Sequence, residues 1–375
     1  MNDIYQSLFT PLPLNNGVTL NNRFAMAPML VFASNQDGTV SQDDLYYFAL
    51  RNRVGQLLIS GAMAVSEEGL GMPRQLAVYN DSYIPGLKIL SAVMKCAGNK
   101  AIMQLHNAGR EAIAAYQKFG RVLAPTAMNF PFLPYVPEEL TEDQITAIID
   151  DFGKATQRAI DAGFDGVEIH GANHYLLQQF FSAYSNHRTD HWGGSLENRM
   201  HFPLAVLHKV KEVVTQHAQK DFIVGYRISP EEVHGENVGY TIDDSLQLID
   251  RIVEDGVDYL HIAQFNYKAY PAKGGNKAIA TLVKRTINGR TPLIVVGNIF
   301  SPREAVDAMQ YGDIIAFGRN AIIEPLFAQK LYFDQEDQIE TSVAGRLDDL
   351  ALSQTLLDYW KAPNTILAPL KGLTY

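Results

Sequence analysis

The sequence predicts an α/β fold, a closed (β/α)8 TIM barrel, on three observations. A unit of amphipathic helix, glycine, nearby aspartate and short apolar strand recurs along the chain; eight short apolar runs alternate with helical patterns; and polar residues gather at the C-terminal ends of those runs. Alternating elements of this kind imply parallel strands with right-handed crossovers, an open doubly wound sheet being the alternative closure. The 375 residues fit one such domain over 1–375, with the barrel over about 20–330 and a helical tail over 331–375.

The elements follow in order. Leu14-Asn-Asn-Gly-Val-Thr-Leu20 carries an Asn-Gly turn between apolar residues and reads as a hairpin ahead of the first strand. Phe24 to Ala27, Leu57 to Ser60, Ala101 to Leu105 and Ile223 to Ile228 are strand-like apolar runs, and Leu293 to Val296 follows Pro292. The recurring unit supplies the other three: Asp161-Ala-Gly-Phe-Asp-Gly-Val-Glu-Ile-His170, Glu254-Asp-Gly-Val-Asp-Tyr-Leu-His-Ile262 and Gln310-Tyr-Gly-Asp-Ile-Ile-Ala-Phe317. Gly163, Gly256 and Gly312 are expected to close the preceding helices in the left-handed conformation. Thr141-Glu-Asp-Gln144 reads as a capping box before Ile145, Ile148, Ile149 and Phe152 at helical spacing, and Ser301-Pro-Arg-Glu304 as a second helix start. The segments Glu111 to Pro137 and Gly171 to Ser195 are long for barrel loops and are expected to build the site.

Composition narrows the function. A formal charge of −10 with no Lys/Arg run excludes an electrostatic nucleic-acid binder. A single cysteine, Cys96, excludes an internal disulfide and cysteine-based zinc or iron–sulfur sites. The longest apolar stretch, Leu57 to Val65, is too short to span a membrane, and Met1-Asn-Asp-Ile-Tyr-Gln6 lacks a secretory start, so a cytoplasmic location is expected.

In a barrel, chemistry sits at the C-terminal strand ends. There the sequence places Gln104-Leu-His106-Asn-Ala-Gly-Arg110, Glu168-Ile-His170-Gly-Ala-Asn173-His174-Tyr175, Arg227, Gly297-Asn298 and Gly318-Arg319. Glycines after strands seven and eight admit a phosphate close to the backbone and Arg319 offers it a planar fork; the alternative is loop punctuation beside a surface charge. His170 and Asn173 can donate to one carbonyl oxygen with Tyr175 as proton donor. A metal reading through Glu168, His170 and His174 has less support, because the strand-to-loop transition breaks helical spacing; His187 and His191 repeat that spacing. Ser195 reads as a helix cap, with Arg199 paired to an acid.

These motifs resemble the old yellow enzyme family of FMN-dependent ene-reductases and related NAD(P)H:flavin oxidoreductases. The resemblance covers roughly residues 5 to 330 and rests on Asn22-Arg-Phe-Ala-Met-Ala-Pro-Met29, Gln104 to Arg110, Gly166 to Leu176, Ser185 to Arg199, Arg227 and Phe317-Gly-Arg319. It implies FMN over the strand ends, with Ala27, Pro28 and Met29 along the isoalloxazine face and Ala62 and Gln104 on the ring. It further implies Arg227 at the N1/O2 edge and Gly297, Gly318 and Arg319 at the phosphate. His170 and Asn173 would bind the substrate carbonyl and Tyr175 would protonate the α-carbon, with NADH or NADPH as reductant and an electron-poor alkene as small-molecule substrate. Three positions depart from the family: Leu30 replaces Thr or Cys; Phe32, on the substrate side, replaces Tyr of one branch; and His174 replaces Gly and is expected to crowd Tyr175. Two further readings stay open, a flavin-binding barrel with low ene-reductase turnover and a metal-dependent barrel aldolase or hydrolase. No nucleic acid or membrane partner is expected, and the sequence leaves a homo-oligomer open.

Overall fold

In a computed structural model, which describes residues 2–363, 365 and 367–374, the eight expected strands close into a parallel barrel. They are β1 (Phe24–Met26), β2 (Leu57–Ala64), β3 (Lys100–His106), β4 (Gly166–Gly171), β5 (Ile223–Ile228), β6 (Tyr259–Ile262), β7 (Leu293–Val296) and β8 (Ile314–Phe317). Each pairs in parallel with its sequence neighbour, and β8 returns to β1 through Ile315 opposite Phe24. The closed topology decides against the doubly wound alternative.

Both capping boxes form. Thr141 accepts from the Gln144 backbone at 3.3 Å while Gln144 Oε1 accepts from the Thr141 N–H at 2.9 Å, opening the helix Glu142–Asp161. Ser301 and Glu304 repeat the exchange at Pro302–Ala308. Gly163 and Gly256 take the left-handed conformation at φ +73° and +80°. Gly312 does not. A Cβ there would lie 2.8 Å from Val295 Cγ2, so this glycine answers a close approach to β7 rather than a turn requirement. Strand β2 runs past its expected end at Ser60 because the register shifts between Ile59 and Ala62; a Cβ at Gly61 would stand 2.5 Å from the Met29 carbonyl, so the bulge seats the segment after β1.

Alternation along the strands sorts the interior by height. Val167, Ile169, Val224 and Tyr226 face the surrounding helices. On the inward face, Ile102, Ile223 and Tyr259 lie low with Leu57, Ile59, Ile294 and Ile314. The same inward positions one or two steps later are Gln104, His106, Glu168, His170, Arg227 and His261, all buried. The hairpin pairs Leu12 with Leu20 and inserts Leu14, Val18 and Leu20 under the apolar layer. Asn15 Nδ2 donates to the carbonyls of Val257 and Arg290 at 2.9 Å, and Asn16 Nδ2 to those of Asp221 and Phe222 at 3.0 and 3.1 Å. These carbonyls precede β5, β6 and β7, so the hairpin seals the N-terminal end and leaves only the opposite end open.

The tail folds back over that open end. Its helix Gln354–Lys361 places Leu356, Tyr359 and Trp360 against Met29, Leu30 and Phe32, and Ser353 Oγ donates to the Val31 carbonyl at 2.9 Å. Among the described residues no helix is long and apolar enough to cross a membrane.

Leu20→Ala removes a fully buried plug side chain and is expected to destabilise the protein by about 3 kcal/mol, read as a lower urea midpoint at unchanged slope.

Candidate functional site

A cavity of about 890 Å³ opens at the C-terminal end of the barrel. All thirteen residues singled out for the site line it: Ala27, Pro28, Met29, Phe32, Ala62, Gln104, His170, Asn173, Tyr175, Arg227, Gly297, Gly318 and Arg319. Size and mixed lining suit a cofactor-sized ligand.

The floor is polar and tightly connected. Glu168, fully buried, accepts from Gln104 Nε2 at 2.7 Å on one oxygen and from His261 Nδ1 at 2.9 Å on the other. A carboxylate only accepts, so this contact fixes Gln104 with its amide nitrogen inward and its carbonyl oxygen free for a ligand. Burial keeps His261 neutral by lowering its pKa, more than Glu168 raises it. Arg227 is buried beside them, and its Nε has no hydrogen-bond partner among the described residues. The carboxamides of Asn320 and Gln264, also on the cavity wall, are likewise buried without hydrogen-bond partners among the described residues. Unpaired buried donors are costly, so this donor set fits a ligand rich in ring carbonyls, ring nitrogens and phosphate oxygens, as FMN is.

Opposite, Gly297 takes φ +111°, and a Cβ on it would lie 2.5 Å from the Gln264 carbonyl. Gly318 has open space above it, with only Met29 Sδ, 3.3 Å from where a Cβ would stand. Arg319 joins the two glycine loops by donating to Asn298 Oδ1 at 2.8 Å and to the Pro369 carbonyl at 3.1 Å. The expected phosphate residues therefore converge, and the tail holds their arginine.

The third wall carries the histidines. His170 Nε2 lies 3.2 Å from Asn173 Nδ2, and His170 Nδ1 lies 3.1 Å from His106 Nδ1. Burial lowers His106 to about 3 and His170 well below the usual imidazole range, the latter also through His106 and Arg227, so both rings are neutral at pH 7. The Tyr175 ring meets His106 edge-on at 4.3 Å and His170 at 5.1 Å, and burial raises its phenol above the ordinary value. Asn173 and His174 both adopt positive φ, +58° and +65°. In that conformation His174 turns to His234, with Nε2 to Nε2 at 3.0 Å, so its bulk does not displace Tyr175 from His106.

Several expectations need correction. Glu168 does not line the cavity, and among the described residues no group of three or more His, Cys, Asp or Glu is placed to hold a metal ion. His187 and His191 lie outside the cavity, the His191 ring packing at a tilt against Trp192. Arg199 donates to the carbonyls of Phe181 and Gly194 rather than to a carboxylate, whereas Ser195 caps its helix as expected. Residues 111 to 137 contribute nothing to the lining, and only the start of Gly171 to Ser195 does. The unexpected contributors are the loop after β5, with Ser229, Glu231 and His234, the loop after β6, with Gln264, Phe265 and Tyr270, and the tail, with Tyr359 stacked on Phe32 at 4.7 Å. The adjacent Tyr359-Trp360 on an amphipathic helix was the one available signal for the tail.

Glu168→Leu leaves Gln104 Nε2 and His261 Nδ1 without acceptors. Unfolding in urea is expected to show a loss of roughly 2–5 kcal/mol, against less than 1 kcal/mol for exposed Glu138→Leu.

Comparison with known proteins agrees with this geometry. Residues 7–338 match the NADH:flavin oxidoreductase / NADH oxidase family. The probable NADH-dependent flavin oxidoreductase YqiG of Bacillus subtilis (strain 168) is 40% identical over 348 residues, 92% of this chain and 93% of that protein. The NADH:acrylate oxidoreductase of Vibrio harveyi is 37% identical over 335 residues, 88% of this chain but 33% of that longer protein. Among solved structures, the old yellow enzyme homologue from Zymomonas mobilis superposes with a TM-score of 0.76 at 25% identity, covering 87% of this chain and 92% of that one. The chain thus belongs to the NADH:flavin oxidoreductase / NADH oxidase family and is an FMN-dependent, NADH- or NADPH-consuming oxidoreductase of the old yellow enzyme type.

Proposed function

We propose that this oxidoreductase reduces electron-poor alkenes, delivering hydride to the β-carbon of an α,β-unsaturated carbonyl compound. The observation that carries the reading is the convergence of His170, Asn173 and Tyr175 on one wall of the cavity whose floor holds Arg227 and Gln104. The acrylate named for the Vibrio harveyi relative is itself such an alkene.

When bound, FMN supplies the hydride-carrying N5 that NADH or NADPH reloads. Ala27, Pro28, Met29 and Ala62 would line its ring, Gln104 and Arg227 its polar edge, and Gly297, Gly318 and Arg319 its phosphate. Arg227 would supply a buried cation able to stabilise negative charge on a reduced ring bound there. His170 and Asn173 hold the substrate carbonyl oxygen, and their donors oppose the charge that gathers there as the β-carbon is attacked. Tyr175 holds the proton for the α-carbon. Its raised pKa keeps that proton in place, and the lowered pKa of His170 keeps the imidazole neutral. Phe32 and Tyr359 close the substrate side. Leu30, beside the ring position, offers no hydrogen-bond donor.

Reductant and alkene share one cavity, so initial-rate plots against NADH and 2-cyclohexen-1-one are expected to be parallel lines. Tyr175→Phe should lower the alkene half-reaction by roughly 10²–10⁴-fold, while anaerobic bleaching of the flavin by NADH survives. Equal loss in both half-reactions, or none in either, would overturn the proton-donor role. A wild-type flavin that bleaches yet is not reoxidised by any enone would instead favour the low-turnover alternative. With a neutral enone the alkene half-reaction should stay flat from pH 6 to 9, because the raised phenol remains protonated and the lowered imidazole neutral across that window. Leu30→Thr adds a donor at the ring edge and should raise the flavin midpoint potential in a redox titration.

A further inference from the structure

His106 belongs to none of the roles above and does not itself line the cavity, yet its ring packs directly against His170 and Tyr175, which do. It is 1% exposed, its Nδ1 stands 3.1 Å from His170 Nδ1, and its ring packs edge-on against Tyr175. Both imidazoles are neutral, so each carries one ring proton, and only one of the two can donate across that contact. The side on which that proton lies decides what His170 can do. If His170 donates, its Nε2 is bare, and it can only accept from the Asn173 amide, as the 3.2 Å contact permits. If His106 donates, the His170 proton sits on Nε2, where a substrate carbonyl can receive it.

We infer that His106 is a positioning residue which holds His170 in the Nε2–H tautomer by donating its own Nδ1–H to His170 Nδ1. The inference rests on the reading that His170 donates to a carbonyl oxygen. Two contacts bear on that tautomer: His106 is the only hydrogen-bond partner of His170 Nδ1 among the described residues, and at Nε2 the Asn173 side chain is compatible with a ring proton when its amide turns Oδ1 toward the ring. Strand geometry supplies the contact. His106 closes β3 and His170 lies near the end of β4, the two strands being paired from Ile102–Gly166 to Leu105–Ile169, so both rings turn inward at neighbouring heights. The Tyr175 ring then wedges against both, which fixes the contact from the cavity side.

Two substitutions separate tautomer control from packing. His106→Phe keeps a ring against Tyr175 but offers His170 no donor. His106→Gln is smaller, yet its amide N–H can take the place of Nδ1–H. In anaerobically reduced holoenzyme mixed with 2-cyclohexen-1-one, His106→Phe is expected to slow flavin reoxidation at least tenfold and His106→Gln to stay within about threefold of wild type. A purely packing role predicts the reverse order, which would overturn the inference, as would equal rates for all three proteins. Independently of turnover, nitrogen-15 histidine spectra of the oxidised wild-type holoenzyme with 2-cyclohexen-1-one bound, assigned by the signal lost in His170→Asn, should show His170 protonated at Nε2 and bare at Nδ1. The opposite tautomer would overturn the inference even if neither variant folds. Failure of wild type to be reoxidised by the enone, with the Nε2–H tautomer present, would count against the alkene reading and leave the role of His106 standing.

Discussion

The site depends on one carboxyl group sealed inside the barrel. Glu168 comes from β4, yet its two oxygens are taken by residues of β3 and β6, so it ties together three strands at the level where the apolar interior ends. A buried carboxylate is tolerated only with such partners, and each partner is buried too, so removing any one strands the others. The tie orients Gln104 and fixes His261 with its Nδ1 proton toward Glu168. It also gives Arg227 a nearby negative charge, which offsets part of what burial costs that guanidinium. Tyr259, pressed against Gly225 where a Cβ would stand 2.1 Å from its Cζ, completes the layer beneath. The polar floor is therefore set before any ligand arrives, which is how a protein avoids the cost of reorganising during reaction.

Above that floor, the backbone departs from its ordinary conformations at the cavity wall. Phe32, Asn173, His174 and Asn298 all take positive φ without being glycine, and all four line the cavity. Residues held this way cost of order 1–3 kcal/mol each and persist only where the surroundings over-determine them. The surroundings are visible: Ser353 and Tyr359 of the tail secure Phe32, Ser229 Oγ accepts from the Asn173 N–H at 2.9 Å, Gln178 accepts from the His174 N–H at 2.9 Å, and Arg319 holds Asn298. The tail is thus part of the site, since it braces the wall after β1 and the arginine of the glycine loops together.

How far the sequence carries the reader follows from range. The strands, both capping boxes and the hairpin are local or periodic features, and they stand where the residues place them. Gly312 looked like Gly163 and Gly256 because the motif around it is the same; the contact with Val295 that demands it is invisible without β7 in place. That the thirteen residues line one cavity is legible because strand ends in a barrel must converge, and the resemblance gives the role expected of each. What could not be read was long-range: that Glu168 turns inward to Gln104 and His261, that residues 111 to 137 pack away from the cavity, and that residue 359 returns to residue 32. No spacing rule relates positions more than 300 apart, and the Arg199 partner was misjudged because carbonyl acceptors leave no mark in a sequence.

The charge arrangement also decides what Leu30 does to the chemistry. Four buried or partly buried histidines stand on or beneath the cavity wall, at 106, 170, 174 and 261, with exposed His234 beside His174, and burial lowers the pKa of each of the four. Were any of them cationic it would add to Arg227 and stabilise an anionic ring regardless of substrate; kept neutral, they leave Arg227 as the one buried cation at the floor among the described residues. Its charge is partly answered by Glu168, and leucine at position 30 offers the cavity no side-chain donor, so on the proposed reading a reduced ring there would gain little further stabilisation. A weakly stabilised reduced cofactor gives up hydride more readily, which relaxes the demand on the acceptor side. On the proposed alkene reading, the polarising power of His170 and Asn173, and with it the tautomer inferred for His170, would then govern which alkenes are electrophilic enough to react.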